Sequence, residues 1–237
     1  GQGVDTVYRR MCRGETGFRP IDRFPADPYP QKNAGQLPRD VEEPLRDRFP
    51  EDDLAKAMIL TAAEEACGGA VASGTGNDRL GLVLATNFGP METLEWCWRE
   101  RVDMDSMDTA TFEHARRFLD EMAEATGARG PRAQLSLSCA SGAAALALAQ
   151  DWLRSNRADR VLAVGYDTLT EYCWCGLTNL RTITTDIMRP FDERRSGTLF
   201  SEGAACMLLE RGDRDTGGRP TLARLAGAAT NNNAFHM

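Results

Sequence analysis

The sequence predicts an α/β fold, and three observations carry the prediction. Short apolar runs bounded by turn residues recur along the 237-residue chain, which is typical of strands buried on both faces. Stretches with helical spacing of apolar residues alternate with these runs. An Ala-rich stretch as long as one helix separates the second run from the third, and this order favours a parallel crossover. We therefore expect parallel strands flanked by helices.

Four of the apolar runs are predicted as strands. They cover residues 80–85, 133–137, 161–164 and 204–209. Helices are predicted near 4–13, from Glu51 to the Gly68-Gly69 pair, over 91–126 and over 139–153. The aromatic residues of the third helical stretch are expected to anchor the core. They are Trp96, Trp98, Phe112 and Phe118.

The first fifty residues differ in composition from the rest of the chain. Residues 1–50 are rich in proline and charge, and their closely spaced prolines are expected to forbid long helices. This part is therefore predicted as a loop-rich wrapping segment after one short helix. Residues 51–210 are predicted as the α/β core.

Composition excludes several classes of function. The formal net charge is −7 with interspersed charges, so no basic surface is expected for nucleic acid. No apolar run approaches the roughly 18 residues of a membrane span, so no membrane is expected as a partner. The seven cysteines are an odd number without framework spacing, and no signal segment opens the chain, which favours the cytoplasm.

Two cysteines are close together in sequence but do not indicate a metal. Cys173 and Cys175 are separated by one residue, and no second pair accompanies them. Such a pair makes a poor zinc site, so both are expected to pack in the core or in a pocket. Neither a metal nor a cofactor is expected.

Cys139 is the candidate nucleophile. It stands where an apolar strand turns into the Ala-rich helix. The first N–H groups of a helix are unpaired and carry partial positive charge, which favours thiolate over thiol and can stabilise an oxyanion. The small residues of 140–143 would let a substrate come close. The position alone fits equally a buried, inert cysteine that caps a core helix.

A cysteine hydrolase on an unrelated α/β fold is a competing interpretation. The strained elbow of such hydrolases has a glycine two residues before the nucleophile and another two residues after it. Leu137 and Ser141 occupy these places. This interpretation is therefore weakened.

A series of motifs, taken in order, resembles those of β-ketoacyl-acyl carrier protein synthases. Around and after the candidate nucleophile they are Ser138-Cys-Ala-Ser-Gly142, Ala158-Asp-Arg-Val-Leu-Ala-Val-Gly165, Arg189-Pro-Phe-Asp-Glu-Arg-Arg-Ser-Gly197, Ser201-Glu-Gly-Ala-Ala205 and Leu208-Leu-Glu210. Near the start they are Gly14-Glu-Thr-Gly17, Ile21-Asp-Arg-Phe24 and Tyr29-Pro-Gln-Lys-Asn-Ala-Gly35. Five ordered motifs at plausible spacing are a specific signal, although any one alone would be weak.

The resemblance covers essentially the whole chain but only part of a family protein. Gly1 matches the last glycine of the family's Thr-Pro-x-Gly turn, so the central first strand is expected to be missing, which would leave a gap in the sheet. Residues 234–237 resemble a segment near the family's junction, so 211–237 are expected to lead toward a C-terminal half. The implied fold is the N-terminal half of a thiolase-like layered fold, with a mixed, mostly parallel sheet flanked by helices. The chain alone is expected neither to condense substrates nor to fold stably.

The resemblance also implies the chemistry. Family members form a carbon–carbon bond by decarboxylative Claisen condensation in fatty-acid or polyketide biosynthesis. Their cysteine, here Cys139, takes an acyl group from an acyl carrier protein thioester, and malonyl-carrier protein supplies the carbanion equivalent by decarboxylation. The catalytic histidines and lysine come from the other half, so His114 and His236 are not expected to be catalytic. Acyl carrier protein, with acyl and malonyl thioesters, is the implied partner.

Other residues acquire expected roles from the resemblance. Residues 172–184 match a stretch that helps line the family's acyl pocket, with Leu177 where many members carry Phe. The smaller side chain could open space in the pocket, or it could be ordinary core variation. Glu202 matches a turn carboxylate that is expected to be structural. Residues 87–130 lack the family's Pro- and Asn-containing helix, which leaves acyl chain length and substrate class open.

Assembly is implied as well. Family members dimerise through the edge strand that runs into the nucleophile, here about 133–138, so a homodimer or a ketosynthase heterodimer is expected. A second interpretation is a non-catalytic partner subunit of a ketosynthase complex, in which Cys139 is inherited but idle. Thiol reactivity separates the two interpretations.

Overall fold

The computed structural model describes residues 2–50, 53–69, 79–99, 109–212 and 220–232, with the backbone alone over 109–116. In chain order its elements are α1 (Val4–Cys12), β1 (Arg19–Pro20), β2 (Asn33–Ala34), α2 (Arg39–Arg48), α3 (Leu54–Cys67), β3 (Leu80–Ala85), α4 (Met91–Arg99), α5 (Thr109–Ala125), β4 (Arg132–Leu135), α6 (Ser141–Arg154), β5 (Arg160–Asp167), α7 (Glu171–Asn179) and β6 (Gly203–Glu210). All four predicted strands are present. Gly1, residues 234–237 and the side chain of His114 lie outside the described residues.

The chain divides into two compact units. The first consists of Gly1–Met58, Pro90–Ala115 and Asp167–Gly203, and the second of Ile59–Gly89, Arg116–Tyr166 and Ala204–Met237. Each unit has its own group of buried apolar side chains.

The first unit is built around the buried side chain of Trp174. Phe24, Leu169 and Leu199 belong to the same buried cluster, and the short antiparallel ribbon of β1 and β2 adds Ala34 to it. The irregular segments between these elements are therefore held by packing against an aromatic residue of α7.

A buried ion pair joins two segments of the first unit that are distant in sequence. Glu202 has no exposed side-chain surface, and its Oε1 accepts a hydrogen bond from Arg23 Nη2 at 2.9 Å. The same carboxylate accepts the backbone N–H groups of Leu37 at 2.7 Å and Leu169 at 3.0 Å. A buried carboxylate paired and hydrogen-bonded in this way is a structural element, as the motif predicts for Glu202.

The second unit contains a four-stranded sheet in the order β4-β3-β5-β6. β3 is parallel to β4 on one side and to β5 on the other. α6 connects β4 to β5, and its Ala149 and Trp152 are buried in one cluster with Val83 of β3. The predicted parallel crossover is therefore confirmed, and it passes over β3.

The expected gap in the sheet is not present. β3 and β5 pair directly over their length, from Leu80 opposite Arg160 to Ala85 opposite Gly165. Both strands are largely buried, and unpaired backbone groups at such positions would be costly. Direct pairing satisfies these groups, so the prediction of a gap was wrong.

Residues 1–50 contain more helix than predicted. α2 spans Arg39–Arg48 although Pro44 lies inside it. A proline removes one backbone donor and strains the preceding turn. Ion pairs hold the helix nevertheless, because Glu42 lies 2.6 Å from Arg23, and Arg46 pairs with both Glu42 and Glu92.

The aromatic residues that were predicted as core anchors are not all buried. Phe118 is fully buried and lies against Tyr166, with ring centroids 5.8 Å apart, so this anchor is confirmed. Trp96 and Trp98 are 59% and 71% exposed, so their prediction as anchors was wrong. α4 buries Cys97 instead, and the residues on either side of it point about 100° away around the helix. The side chain of Phe112 lies outside the described residues.

Within the described ranges, no helix is both long enough and apolar enough to pass through a membrane.

Candidate active site

Cys139 lies on the turn that connects β4 to α6. The turn covers residues 136–140, all of which are exposed to solvent, so the free thiol is accessible. Ser138, which directly precedes the cysteine, has a φ of 51°. A non-glycine residue in this left-handed region costs about 1–2 kcal/mol, and such strain is concentrated at functional sites.

The hydroxyl group of Ser141 closes this turn from within. Ser141 is only 4% exposed, and its Oγ accepts the N–H of Leu137 at 2.8 Å. The same Oγ donates to the carbonyl oxygen of Ser138 at 2.7 Å, while the carbonyl oxygen of Thr86 lies farther away at 3.4 Å. Backbone bonds from Ala140 N–H to Leu137 O and from Ser141 N–H to Ser138 O complete the turn.

A second turn of the same unit supports the first. It follows β3 and is ordered by the side chain of Thr86, whose Oγ1 accepts the N–H groups of Phe88 at 3.2 Å and Gly89 at 2.9 Å. Ser136 Oγ donates to the carbonyl oxygen of Asn87 at 3.1 Å. The ends of the parallel strands β3 and β4 therefore hold the cysteine turn between them.

The N-terminus of α6 is open next to Cys139. Ala140 is the N-cap residue and makes no side-chain capping bond. The N–H groups of Gly142 and Ala143 have no backbone acceptor among the described residues. Both residues are exposed, and a Cβ built on Gly142 would meet no atom within 4 Å. Unpaired helix N–H groups beside an accessible thiol can stabilise negative charge that develops on a substrate oxygen.

The other thiols have different surroundings. Burial raises the pKa of Cys173 to about 11 and that of Cys206 to about 12, so both are thiols at neutral pH. Cys97 is buried. Cys12 is exposed, but it is the last residue of α1, and a helix C-terminus presents carbonyl oxygens and not N–H donors. Of these cysteines, Cys139 has the surroundings best suited to a nucleophile.

Leu177, the predicted pocket residue, lies on α7 in the first unit and is half-buried. Its carbonyl oxygen accepts two hydrogen bonds from Thr182, one from the backbone N–H at 3.2 Å and one from the Oγ1 hydroxyl group at 2.9 Å. On the same helix Cys173 packs in the interior, as expected, and Asn179 Nδ2 donates to Cys175 Sγ at 3.4 Å. Among the residues that the structure describes, no three His, Cys, Asp or Glu side chains are grouped as for a metal ion.

Comparison with known proteins gives a consistent set of relatives. The family model for "Beta-ketoacyl synthase, N-terminal domain" matches residues 1–214. A putative polyketide β-ketoacyl synthase 1 of Streptomyces virginiae is 27% identical over 264 residues, which cover 100% of this chain and 61% of the relative. The chloroplastic 3-oxoacyl-[acyl-carrier-protein] synthase I of Hordeum vulgare is also 27% identical, over 100% of this chain and 56% of the relative. The chain thus spans a little more than half the length of these relatives.

Solved structures show the same fold. The ishigamide ketosynthase/chain length factor superposes with a TM-score of 0.74 at 24% identity, over 89% of this chain and 55% of that chain. A type II PKS acyl-carrier protein in complex with its ketosynthase bound to the hexaketide superposes with a TM-score of 0.68 at 20% identity, over 90% of this chain and 55% of that chain. The described sheet and helices therefore have the fold of these solved structures. With the family match over residues 1–214, the chain belongs to the β-ketoacyl synthase family, whose N-terminal domain it matches.

Proposed function

We propose that this chain is the N-terminal half of a condensing enzyme of fatty-acid or polyketide biosynthesis, with Cys139 as its acyl-accepting nucleophile. The observation that carries the proposal is the exposed thiol of Cys139 on a strained turn, beside the open N-terminus of α6. The family match over residues 1–214 supports it. A non-catalytic partner subunit is not favoured, because the nucleophile position still holds a cysteine and the thiol is accessible.

The proposed reaction has two steps. In the first, Cys139 loses its proton and its thiolate attacks the carbonyl carbon of an acyl thioester on acyl carrier protein; the carrier leaves as a thiolate, which takes up that proton. In the second, malonyl-carrier protein loses carbon dioxide, and the resulting carbanion equivalent attacks the acyl-Cys139 thioester. A carbon–carbon bond forms, the Cys139 thiolate leaves, and the product is a β-ketoacyl thioester on the carrier protein.

The N–H groups at the start of α6 would serve the first step. The attacked carbonyl oxygen becomes negative in the tetrahedral intermediate, and preorganised N–H donors stabilise such an oxyanion strongly. Gly142 and Ala143 leave the approach open because neither carries a large side chain. Groups that promote decarboxylation would come from a C-terminal half, consistent with the share of the relatives that this chain covers.

Partners and pocket follow from the same proposal. Acyl carrier protein is the proposed partner, and a similar ketosynthase has been solved in complex with one. A homodimer or a ketosynthase heterodimer is the proposed assembly, and another similar structure pairs a ketosynthase with a chain length factor. Leu177 is proposed to line the acyl pocket. The proposed compartment is a reducing cytoplasm, which is consistent with the seven free thiols. Residues 211–237 are proposed to lead to the C-terminal half.

The proposal is tested by condensation assays on the full-length synthase that contains this chain. Wild type is expected to form β-ketoacyl-carrier protein from acyl- and malonyl-carrier protein. Cys139→Ala is expected to abolish the product, while the matched Cys12→Ala variant retains it. Product formation by Cys139→Ala at the wild-type rate would show that the cysteine is idle.

A further inference from the structure

The residue directly before Cys139 has an unfavourable backbone conformation. Ser138 adopts a φ of 51°, although it carries a Cβ and is exposed to solvent. Left to itself, a serine would prefer negative φ, which would redirect the chain toward Cys139. Some interaction within the turn must therefore select the left-handed conformation.

The side chain of Ser141 provides that interaction. Its Oγ contacts the backbone of the two residues that precede Cys139, accepting from Leu137 N–H at 2.8 Å and donating to Ser138 O at 2.7 Å. The hydroxyl group has a single proton, and the 3.4 Å distance to Thr86 O makes Ser138 O the better acceptor. Ser141 Oγ thus bonds the carbonyl group of Ser138 itself and the N–H group of the residue before it.

The burial of Ser141 shows on which side of the turn its hydroxyl group lies. Ser141 is 4% exposed whereas residues 136–140 are all exposed, so its hydroxyl group lies beneath the turn and not in the space above Cys139. A direct contact with the acyl group is therefore not its role. We propose that Ser141 is a positioning residue, whose hydroxyl group holds Ser138 in the left-handed conformation and thereby fixes the Cys139 thiol beside the N-terminus of α6.

This inference rests on the proposed function of Cys139 and adds a residue to it. A misplacement of about 1 Å at a reacting atom can cost about 100-fold in rate, so loss of the hydroxyl group should lower acyl transfer without removing the nucleophile. A second substitution is expected to restore part of the lost acylation rate. Glycine adopts positive φ without steric cost, so a glycine at position 138 should reduce the need for the hydroxyl group.

The experiment measures the rate of acyl transfer from acyl-carrier protein to the full-length synthase, together with the thermal unfolding of each variant. Ser141→Ala is expected to lower the acylation rate by about 10- to 100-fold. Ser141→Thr keeps the hydroxyl group and is expected to remain within about threefold of wild type, while Ser141→Val, which has nearly the shape of threonine, should fall with Ser141→Ala. Ser138→Gly combined with Ser141→Ala should recover about tenfold of the loss.

Two results would overturn the inference. One is a wild-type acylation rate in Ser141→Ala, and the other is a loss in Ser141→Ala that Ser138→Gly does not relieve. Should Ser141→Ala fail to fold, Ser141→Thr and Ser141→Val decide instead, because the two side chains have nearly the same shape and differ in the hydroxyl group, and equal acylation rates would overturn the inference. Wild-type condensation by Cys139→Ala would instead refute the proposed function, so the two failures are distinguishable.

Discussion

Asp53 and Glu92 cap each other's helices. Asp53 precedes α3, where its Oδ1 accepts the N–H of Ala55 at 3.0 Å, while its Oδ2 accepts the N–H and the Oγ1 of Thr93 in α4, both at 3.0 Å. Glu92 Oε2 accepts the N–H of Leu54 at 2.8 Å. Two carboxylates thus satisfy N–H groups at two helix N-termini and fix the start of α4 against the start of α3.

This relationship predicts a pH dependence of stability. Burial and, secondarily, the nearby Glu92 raise the pKa of Asp53 despite its hydrogen bonds. The folded state therefore binds the Asp53 proton more readily than the unfolded state, whose pKa is about 3.9. The stabilising contribution of this group is greatest below about pH 3.9 and is lost as pH rises through the raised pKa. We expect the unfolding free energy of wild type minus that of Asp53→Asn to fall from about pH 4 upward.

Denaturant unfolding of both proteins between pH 4 and 7 measures this difference. Because the other acidic groups are common to both proteins, their titration cancels. A difference that rises with pH would mean that the folded protein prefers the ionised carboxylate.

Cys139 is predicted to be the most reactive of the seven thiols. It alone combines exposure with a helix N-terminus, whereas Cys12 is exposed at a helix C-terminus and Cys173 is buried. Limited alkylation of folded protein at neutral pH, followed by peptide mass mapping, gives the order of labelling. Faster labelling of Cys12 or Cys97 would contradict the nucleophile assignment.

Breaking the buried pair of Arg23 and Glu202 is predicted to destabilise the protein strongly. Glu202→Gln removes the fully buried one of the two carboxylates that pair with Arg23 and leaves Glu42 as the other, and breaking a buried pair costs up to about 3–5 kcal/mol. The control is Arg194→Ala, whose partner Asp192 lies at the surface 3.4 Å away and where the expected loss is below about 1 kcal/mol. Equal unfolding free energies for the two variants would refute the structural role of Glu202.

The edge of β4 that faces away from β3 is predicted to pair with another subunit. Leu82 N–H donates to Pro131 O and Thr86 N–H to Leu135 O, so alternate residues of β4 face β3 and Gln134 directs its N–H to the outer edge. Gln134→Pro removes this donor and is expected to weaken dimerisation of the full-length protein by at least tenfold. Gln134→Thr keeps the N–H and serves as control. Light scattering at micromolar concentration reports the assembly, and a monomeric wild type would contradict the prediction.

Sequence pattern predicted the strands well because each is short, apolar and bounded by turn residues. The turn at Cys139 was also found, since a cysteine between an apolar strand and an Ala-rich helix is a local signal. The exposed Trp96 and Trp98 were misjudged because size and apolarity do not reveal which face of a short helix is buried. α2 was missed because Pro44 is a local signal, whereas the ion pairs that hold the helix involve distant residues such as Arg23 and Glu92.

The role of Ser141 was not visible from the sequence for a different reason. In the motif it counts as one of several small residues, whereas the structure shows its hydroxyl group engaged with two backbone groups of the turn. A serine four positions after a leucine is too common a pattern to be a signal. The direct pairing of β3 with β5 was also missed, because the resemblance to the family placed another strand at the centre of the sheet.

Acylation of Cys139 by acyl-carrier protein decides whether this residue is the nucleophile. Full-length synthase is incubated with acyl-carrier protein in the absence of malonyl-carrier protein, so that the reaction stops after the first step. Peptide mass mapping then locates the acyl group. We expect one acyl group on the peptide that contains Cys139, and none on that peptide in Cys139→Ala. An acyl group on any other residue, or unmodified Cys139 after complete incubation with a carrier that the enzyme condenses, would contradict it.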